Sequence, residues 1–153
     1  MGTLNKRVDL DAWGVAGARW YATRSPCVRR QVGAVLIKNG RVVGGGFNGP
    51  SKGLPHRTET PGPLQCIRIG MPSGSEPHTV CCDHAESNAC QFTDRADAEG
   101  ATCFCTDSPC RVCAGLLVNA GVVRVVAASL YPDADGRFLL LSAGVSFEIF
   151  RTP

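Results

Sequence analysis

Between Asp9 and Arg24 the apolar residues Leu10, Trp13, Val15, Ala16, Trp20 and Tyr21 recur mostly three or four apart, which predicts a helix that begins near Asp9 and stops at Ser25-Pro26. Two apolar runs follow, VGAVLIK (32–38) and RVVGGGFN (41–48), joined by Asn39-Gly40. That dipeptide suits a tight antiparallel hairpin. From Gly49 to about Asp83 the pattern lapses into prolines and glycines, so 49–83 reads as a long loop. A loop of that length in a compact domain needs a function or a staple. Periodicity then returns: HAESNACQFTDRADAEG (84–100) has helical composition and ends at Gly100, ATCFCT (101–106) reads as a strand, and CRVCAGLLVNAG (110–121) reads as a helix closed by Gly121. VVRVVAAS (122–129) gives another strand, DADGRFLLLSA (133–143) a short helix and VSFEIF a last strand. Strands alternating with helices signal βαβ units, so the last two strands are expected to run parallel in an α/β/α layered fold without internal repeats.

Composition narrows this picture. At 153 residues, with 44% hydrophobic and 19% charged residues, the chain is expected to form one domain over 1–153. No apolar run has the length of a membrane span or a signal peptide, so the expected location is cytoplasmic, with no membrane partner. The formal charge is only +3, and its cations are scattered, apart from Arg24, Arg29 and Arg30. No nucleic-acid partner is expected, whereas a small anionic substrate is compatible. Nine cysteines, an odd number beside no secretory signal, favour metal binding over a disulfide scaffold.

The chemistry concentrates in CCDHAESNAC (81–90) and TDSPCRVC (106–113). Cys110 and Cys113 are three apart behind Pro109, at a strand-to-helix junction, which points both sulfurs the same way and favours their thiolates. A lone CxxC would serve equally as a redox dithiol or half a structural zinc site. The HxE at His84 and Glu86 decides between them. His84, Cys110 and Cys113 would hold a catalytic Zn2+ by three protein ligands, leaving the fourth position to water. Glu86, two residues from the ligand histidine, is then the expected proton shuttle, and the reaction class is hydrolytic deamination.

These residues, with QVGAVLIKNG, GGFNGPSKGLPH, the CIR at Cys66, the PSG at Pro72, EGAT and NAGVVRVV in the same order, resemble the deoxycytidylate deaminase branch of the zinc-dependent cytidine deaminase superfamily over about residues 10 to 150. The resemblance implies a cytidine-deaminase-like fold with a five-stranded mixed sheet, a homo-oligomer, and conversion of dCMP to dUMP plus ammonia. It also implies that Asn48 contacts the sugar, that the Ala85 backbone and the Ser108 carbonyl hold the pyrimidine edge, and that Tyr131 stands near the substrate phosphate. Arg24, Lys52, Arg57, Arg68 and Arg111 are the candidate phosphate cations, Arg111 by its place inside the CxxC turn. Alternative readings are a deaminase of cytidine, a free base, a modified pyrimidine or an antibiotic precursor, or a non-catalytic zinc-stabilised binding module. Phe47 stands where the family has Tyr, Ser87 and Cys90 make the HAE helix less typical, and Asp107 places a carboxylate where it could repel a phosphate.

The remaining sulfur and imidazole exceed what one zinc uses. A second, structural Zn2+ pinning the long loop is expected, with ligands from Cys27, His56, Cys66 and Cys81; His78 and Cys82 compete for the same places. Family members carry a metal in this region, with His-Cys where this chain has His56-Arg57. Cys90, Cys103 and Cys105 read as small core residues.

Overall fold

A computed structural model describes residues 6–75 and 82–152. Its helices are α1 (Leu10–Ala22), α2 (Ala85–Gln91), α3 (Arg95–Ala98), α4 (Arg111–Asn119) and α5 (Asp135–Ser142). Its strands are β1 (Gly33–Lys38), β2 (Arg41–Phe47), β3 (Thr102–Asp107), β4 (Arg124–Ser129) and β5 (Ser146–Ile149). They form one mixed sheet in the order β2-β1-β3-β4-β5. β1 is antiparallel to both neighbours, and β3, β4 and β5 run parallel, as the βαβ alternation predicts. The hairpin turn takes positive φ at Asn39 (52°) and Gly40 (70°), the conformation of a type I′ turn.

Alternation along the central strands explains the layering. Val35, Ile37, Phe104 and Val126 face one side, where Val15 and Ala18 of α1 cover them. Their chain neighbours Ala34, Leu36, Cys103, Cys105, Val125 and Ala127 face the other, beneath Ala89 of α2, Leu117 of α4 and Leu140 of α5. Strands buried on both faces must be apolar throughout, which is why β1 reads as a continuous hydrophobic run. Cys103 and Cys105 are fully buried members of this core, as expected.

The 84–100 stretch departs from expectation, since it forms two helices rather than one. The Thr93 hydroxyl donates to the Ala89 carbonyl (2.6 Å), and Asp94 turns extended (φ −61°, ψ 142°) to start α3. A Thr bonded back one turn competes with the helix ladder, and here it ends α2. The long loop is closed at its base, where Gly49 and Asp83 exchange backbone hydrogen bonds of 3.1 and 2.7 Å. Among the described residues, no helix is long and apolar enough to cross a membrane.

Asp9 caps α1 by accepting from the amides of Asp11 and Ala12 at 3.1 and 3.2 Å. One turn on, Asp11 takes both terminal nitrogens of Arg124 at 2.7 Å each, while the Arg124 Nε donates to Glu148 at 2.8 Å, tying α1 to β4 and β5. The Arg124 hydrogen bond holds the Asp11 carboxyl below its ordinary value of 3.8, so this stabilisation is complete above that value and is lost as pH falls through the folded one. Arg124→Met should cost about 1 kcal/mol near neutral pH by urea denaturation, and the difference should shrink towards zero below about pH 3.

Candidate metal and active site

Two helix starts meet to make the site. His84 is the N-cap residue of α2 in extended backbone (φ −77°, ψ 154°), Cys110 is the N-cap residue of α4, and Cys113 lies in the first turn of α4. The sulfurs of Cys110 and Cys113 stand 3.5 and 3.3 Å from His84 Nδ1, and the three donor atoms lie within 4.8 Å of one another. Tetrahedral zinc with ordinary Zn–S and Zn–N bonds separates a sulfur and a nitrogen by about 3.6 Å, so the donor set fits the metal. Its electrostatics agree. The Cys110 thiol is pushed down to about 4, first by a hydrogen bond from Cys113 and then by His84. The same hydrogen bond, with burial, pushes Cys113 up. The pair therefore favours a thiolate at Cys110, the form in which cysteine binds a metal.

The brace behind this turn is α5. A Cβ on Gly136 would stand 2.0 Å from the Pro109 carbonyl oxygen and 2.8 Å from the Cys110 carbonyl carbon, so only glycine lets α5 seat against the CxxC turn. Asp133 links the two helix starts, accepting from the Arg111 amide (3.1 Å) and the Asp135 amide (2.8 Å).

Glu86 lies in the first turn of α2 and is 4% exposed. Burial pushes its carboxyl up from 4.5 to about 7, with His84 pulling partly the other way. It lines, with His84 and Cys110, a cleft of about 120 Å³ whose walls also include Cys27, Asn48, Ser108, Asp107, Tyr131, Arg29, Arg30 and Arg68. Asn48 is held at both ends of its amide: Oδ1 accepts from the Val32 amide and Nδ2 donates to the Arg30 carbonyl, each at 2.8 Å. Ala85 is fully buried against Gly46, where a Cβ would sit 2.4 Å from the Ala85 carbonyl oxygen. Ser108 is 2% exposed and its hydroxyl accepts from the Tyr131 amide at 2.7 Å, which fixes the start of the segment after β4.

Of the sequence-derived phosphate candidates, Arg68 lines the cleft. Arg111 is exposed at the start of α4 and outside the cleft lining, as are exposed Arg24 and Lys52; Arg57 donates to Pro63 within its own loop. The cations that sequence reasoning passed over are Arg29 and Arg30. Arg29 donates to the carbonyls of Arg68 and Met71, clasping the long loop. Arg30 pairs with Asp107 at 2.7 Å and rests over the Tyr131 ring, 5.8 Å from its centre. The Asp107 carboxylate is thereby answered by a cation. The missed signal was positional: Arg29 and Arg30 precede β1, whose start pairs with the end of β3, the edge from which the CxxC turn departs.

Among the described residues, His84, Cys110 and Cys113 form the one cluster of three metal-capable groups. Of the candidate ligands for a second zinc, Cys27 is drawn down to about 5, chiefly by a hydrogen bond with the Cys82 thiol. Cys66 is buried and His56 exposed; Cys81 and His78 lie outside the described residues.

Residues 10–129 match the model of the cytidine and deoxycytidylate deaminase zinc-binding region. The chain belongs to this family. It is 39% identical over 121 residues to the deoxycytidylate deaminase of Mycobacterium phage D29, covering 78% of this chain and 94% of that protein. It is 33% identical to the human deoxycytidylate deaminase over 162 residues, covering 97% and 85%. Against the Saccharomyces cerevisiae deoxycytidylate deaminase the identity is 30%, and the chain spans 46% of that protein's length. The solved dCMP deaminase of cyanophage S-TIM5, in complex with dCMP and dUMP, superposes with a TM-score of 0.74 at 27% identity, covering 95% of this chain and 100% of that one. The family's zinc-binding region and the His/Cys/Cys cluster agree, and both support zinc in a hydrolytic deaminase.

A buried carboxyl with a raised pKa costs this deaminase stability when it ionises. In metal-free protein that cost is absent below the unfolded value of 4.5 and complete above the folded value of about 7. Metal-free Glu86→Gln should match wild type in stability near pH 4 and exceed it by about 3 kcal/mol near pH 8, measured by denaturant melts in chelator.

Proposed function

We propose that the deaminase converts dCMP to dUMP with release of ammonia, in a reaction that exchanges the amine at the ring carbon of cytosine for the oxygen of water. The observation that carries this reading is the cleft itself, which joins the His84, Cys110, Cys113 and Glu86 cluster to a wall bearing three arginines. The deoxycytidylate deaminase relatives support the same substrate. Zinc, when bound by His84, Cys110 and Cys113, lowers the pKa of water to about 7 and so makes hydroxide available near neutral pH.

Glu86, whose carboxyl burial pushes up, takes one water proton, passes it to the ring nitrogen, and then carries the second proton of that oxygen to the departing amine. The Ala85 backbone and the Ser108 carbonyl hold the pyrimidine edge, and Asn48, anchored on residues 30–32, presents a fixed amide towards the sugar. Tyr131 and the arginines face the phosphate.

A second, structural zinc belongs to this reading. Cys27, Cys66 and Cys81 or Cys82, with His56 or His78, would supply its ligands, and the contact between Cys27 and Cys82 supports Cys82. So do a single domain over 1–153, a cytoplasmic location and a homo-oligomer, for which the exposed Val112, Leu116, Phe138 and Leu141 of α4 and α5 offer apolar surface.

Glu86→Ala should lose at least about 1,000-fold in kcat for dCMP while retaining its catalytic zinc; full activity in that variant would sink the mechanism. Metal analysis of protein purified without chelator should find two zinc ions per chain, falling to one in Cys66→Ser. One zinc in both proteins would eliminate the structural site.

A further inference from the structure

The turn that aims Cys110, from Ser108 to Arg111, lies against the segment from Tyr131 to Asp133 that follows β4, and two hydrogen bonds join them like rungs. At one end the Ser108 hydroxyl accepts from the Tyr131 amide at 2.7 Å; at the other, Asp133 Oδ2 accepts from the Arg111 amide at 3.1 Å. Pro109 and Cys110 stand between these rungs. The second oxygen of Asp133 is used as well, since Oδ1 accepts at 2.8 Å from the amide of Asp135, the first residue of α5. The segment that carries Asp133 is itself seated, because a Cβ on Gly74 would lie 2.7 Å from the Pro132 Cβ, so the long loop packs directly onto it.

Both helices draw on this carboxylate because neither caps itself. The N-cap residues of α4 and α5 are Cys110 and Ala134, and neither side chain makes a capping hydrogen bond. Ala134 has no acceptor to offer, and Cys110 directs its sulfur to His84 Nδ1, 3.5 Å away. A helix start leaves amides that need acceptors, and Ser, Thr, Asp or Asn ordinarily supplies one from the N-cap position itself. Here the acceptor comes from 22 positions further along the chain, which leaves the N-cap position of α4 to a metal-ligating sulfur.

We propose that Asp133 is a positioning residue for the metal centre: by bonding to the first turns of α4 and α5 together, it fixes the direction from which Cys110 and Cys113 meet the metal. The inference rests on the reading of His84, Cys110 and Cys113 as zinc ligands and adds a residue outside that set. Two physical points carry it. Groups one shell out that hold ligand residues in place are worth about 10- to 100-fold in metal affinity. A carboxylate at a helix start is also favoured by the helix dipole, and its bonds to backbone amides are charge-assisted, so this clamp is stronger than a neutral cap.

The test loads the full chain with cobalt(II) in place of zinc, and the part of the cobalt spectrum absent from Cys110→Ser belongs to this site. Cobalt affinity by titration, zinc affinity by displacement of cobalt, and the urea stability of each metal-free protein are compared in wild type, Asp133→Ala, Asp133→Asn and Asp135→Asn. Asp133→Ala should bind zinc about 30-fold more weakly and lose intensity in the thiolate-to-cobalt band. Asp133→Asn keeps one acceptor oxygen, should lose about 5-fold, and serves if Asp133→Ala fails to fold. Asp135→Asn removes a neighbouring exposed carboxylate while leaving the amide that bonds to Asp133, and its zinc affinity should stay within about 2-fold of wild type. Asp133 variants that lose metal-free stability yet keep wild-type zinc affinity and cobalt spectrum overturn the positioning role. Equal losses in Asp133→Asn and Asp135→Asn overturn it too, because charge alone then accounts for the effect. A wild-type cobalt spectrum identical to that of Cys110→Ser overturns the zinc-ligand reading instead.

Discussion

The site depends on a single junction, the turn that carries the chain from the end of β3 into α4. Pro109 and Cys110 are buried there, between the parallel sheet and the first turn of α5, and the Pro109 carbonyl meets Gly136 so closely that no side chain fits between them. Both cysteines take their direction from this turn, and His84 reaches the same point because α2 also begins at that end of the sheet. Two helix N-termini converging on one spot create a field that favours thiolate and a cation to balance it. Helix and sheet thus set the geometry of the His84, Cys110 and Cys113 donor atoms.

The same convergence explains why Glu86 sits where it does. Placing a carboxylate in the first turn of α2, two residues beyond His84, sets it under the sheet-facing side of the helix, where Glu86 is almost wholly buried. Burial in that position opposes stability whenever the group is charged, and it is the same burial that brings its proton affinity near neutrality. In the proposed mechanism, stability and proton transfer therefore pull on one side chain in opposite directions. The surrounding core, with Leu36, Leu117 and Leu140 fully buried on that face, offsets the cost of a buried carboxylate.

Much of this was legible in the sequence because it follows from short-range rules. Period-two alternation in VGAVLIK and ATCFCT, the Asn39-Gly40 turn and the spacing of HxE and PCxxC each leave a local trace, and the sheet, its parallel half and the zinc cluster follow from them. What escaped depends on contacts far apart in the chain. The break between α2 and α3 turns on Thr93, a residue unremarkable in composition whose hydroxyl bonds back to Ala89. Arg30 and Asp107 are 77 positions apart, and nothing near either one announces the other. Read alone, Asp107 looked hostile to an anionic substrate; beside Arg30 it becomes a holder of positive charge.

That reversal follows from the topology of the sheet. Because β1 runs antiparallel to β3, the residues before β1 arrive at the end of the sheet from which the CxxC turn departs, and the residues after β2 return to it. Arg30 and Asn48 therefore come to the catalytic edge from opposite arms of one hairpin, joined to each other through the Asn48 amide and the Arg30 carbonyl. The turn after β3 places Cys110 and Cys113 with α5 as their brace, α2 after the hairpin brings His84 and Glu86, and the hairpin base brings Arg30 and Asn48 to the same cleft. A mixed sheet is thus a functional arrangement: its direction change at β1 brings a polar hairpin base to a metal site built by helix starts, and neither half alone forms the cleft.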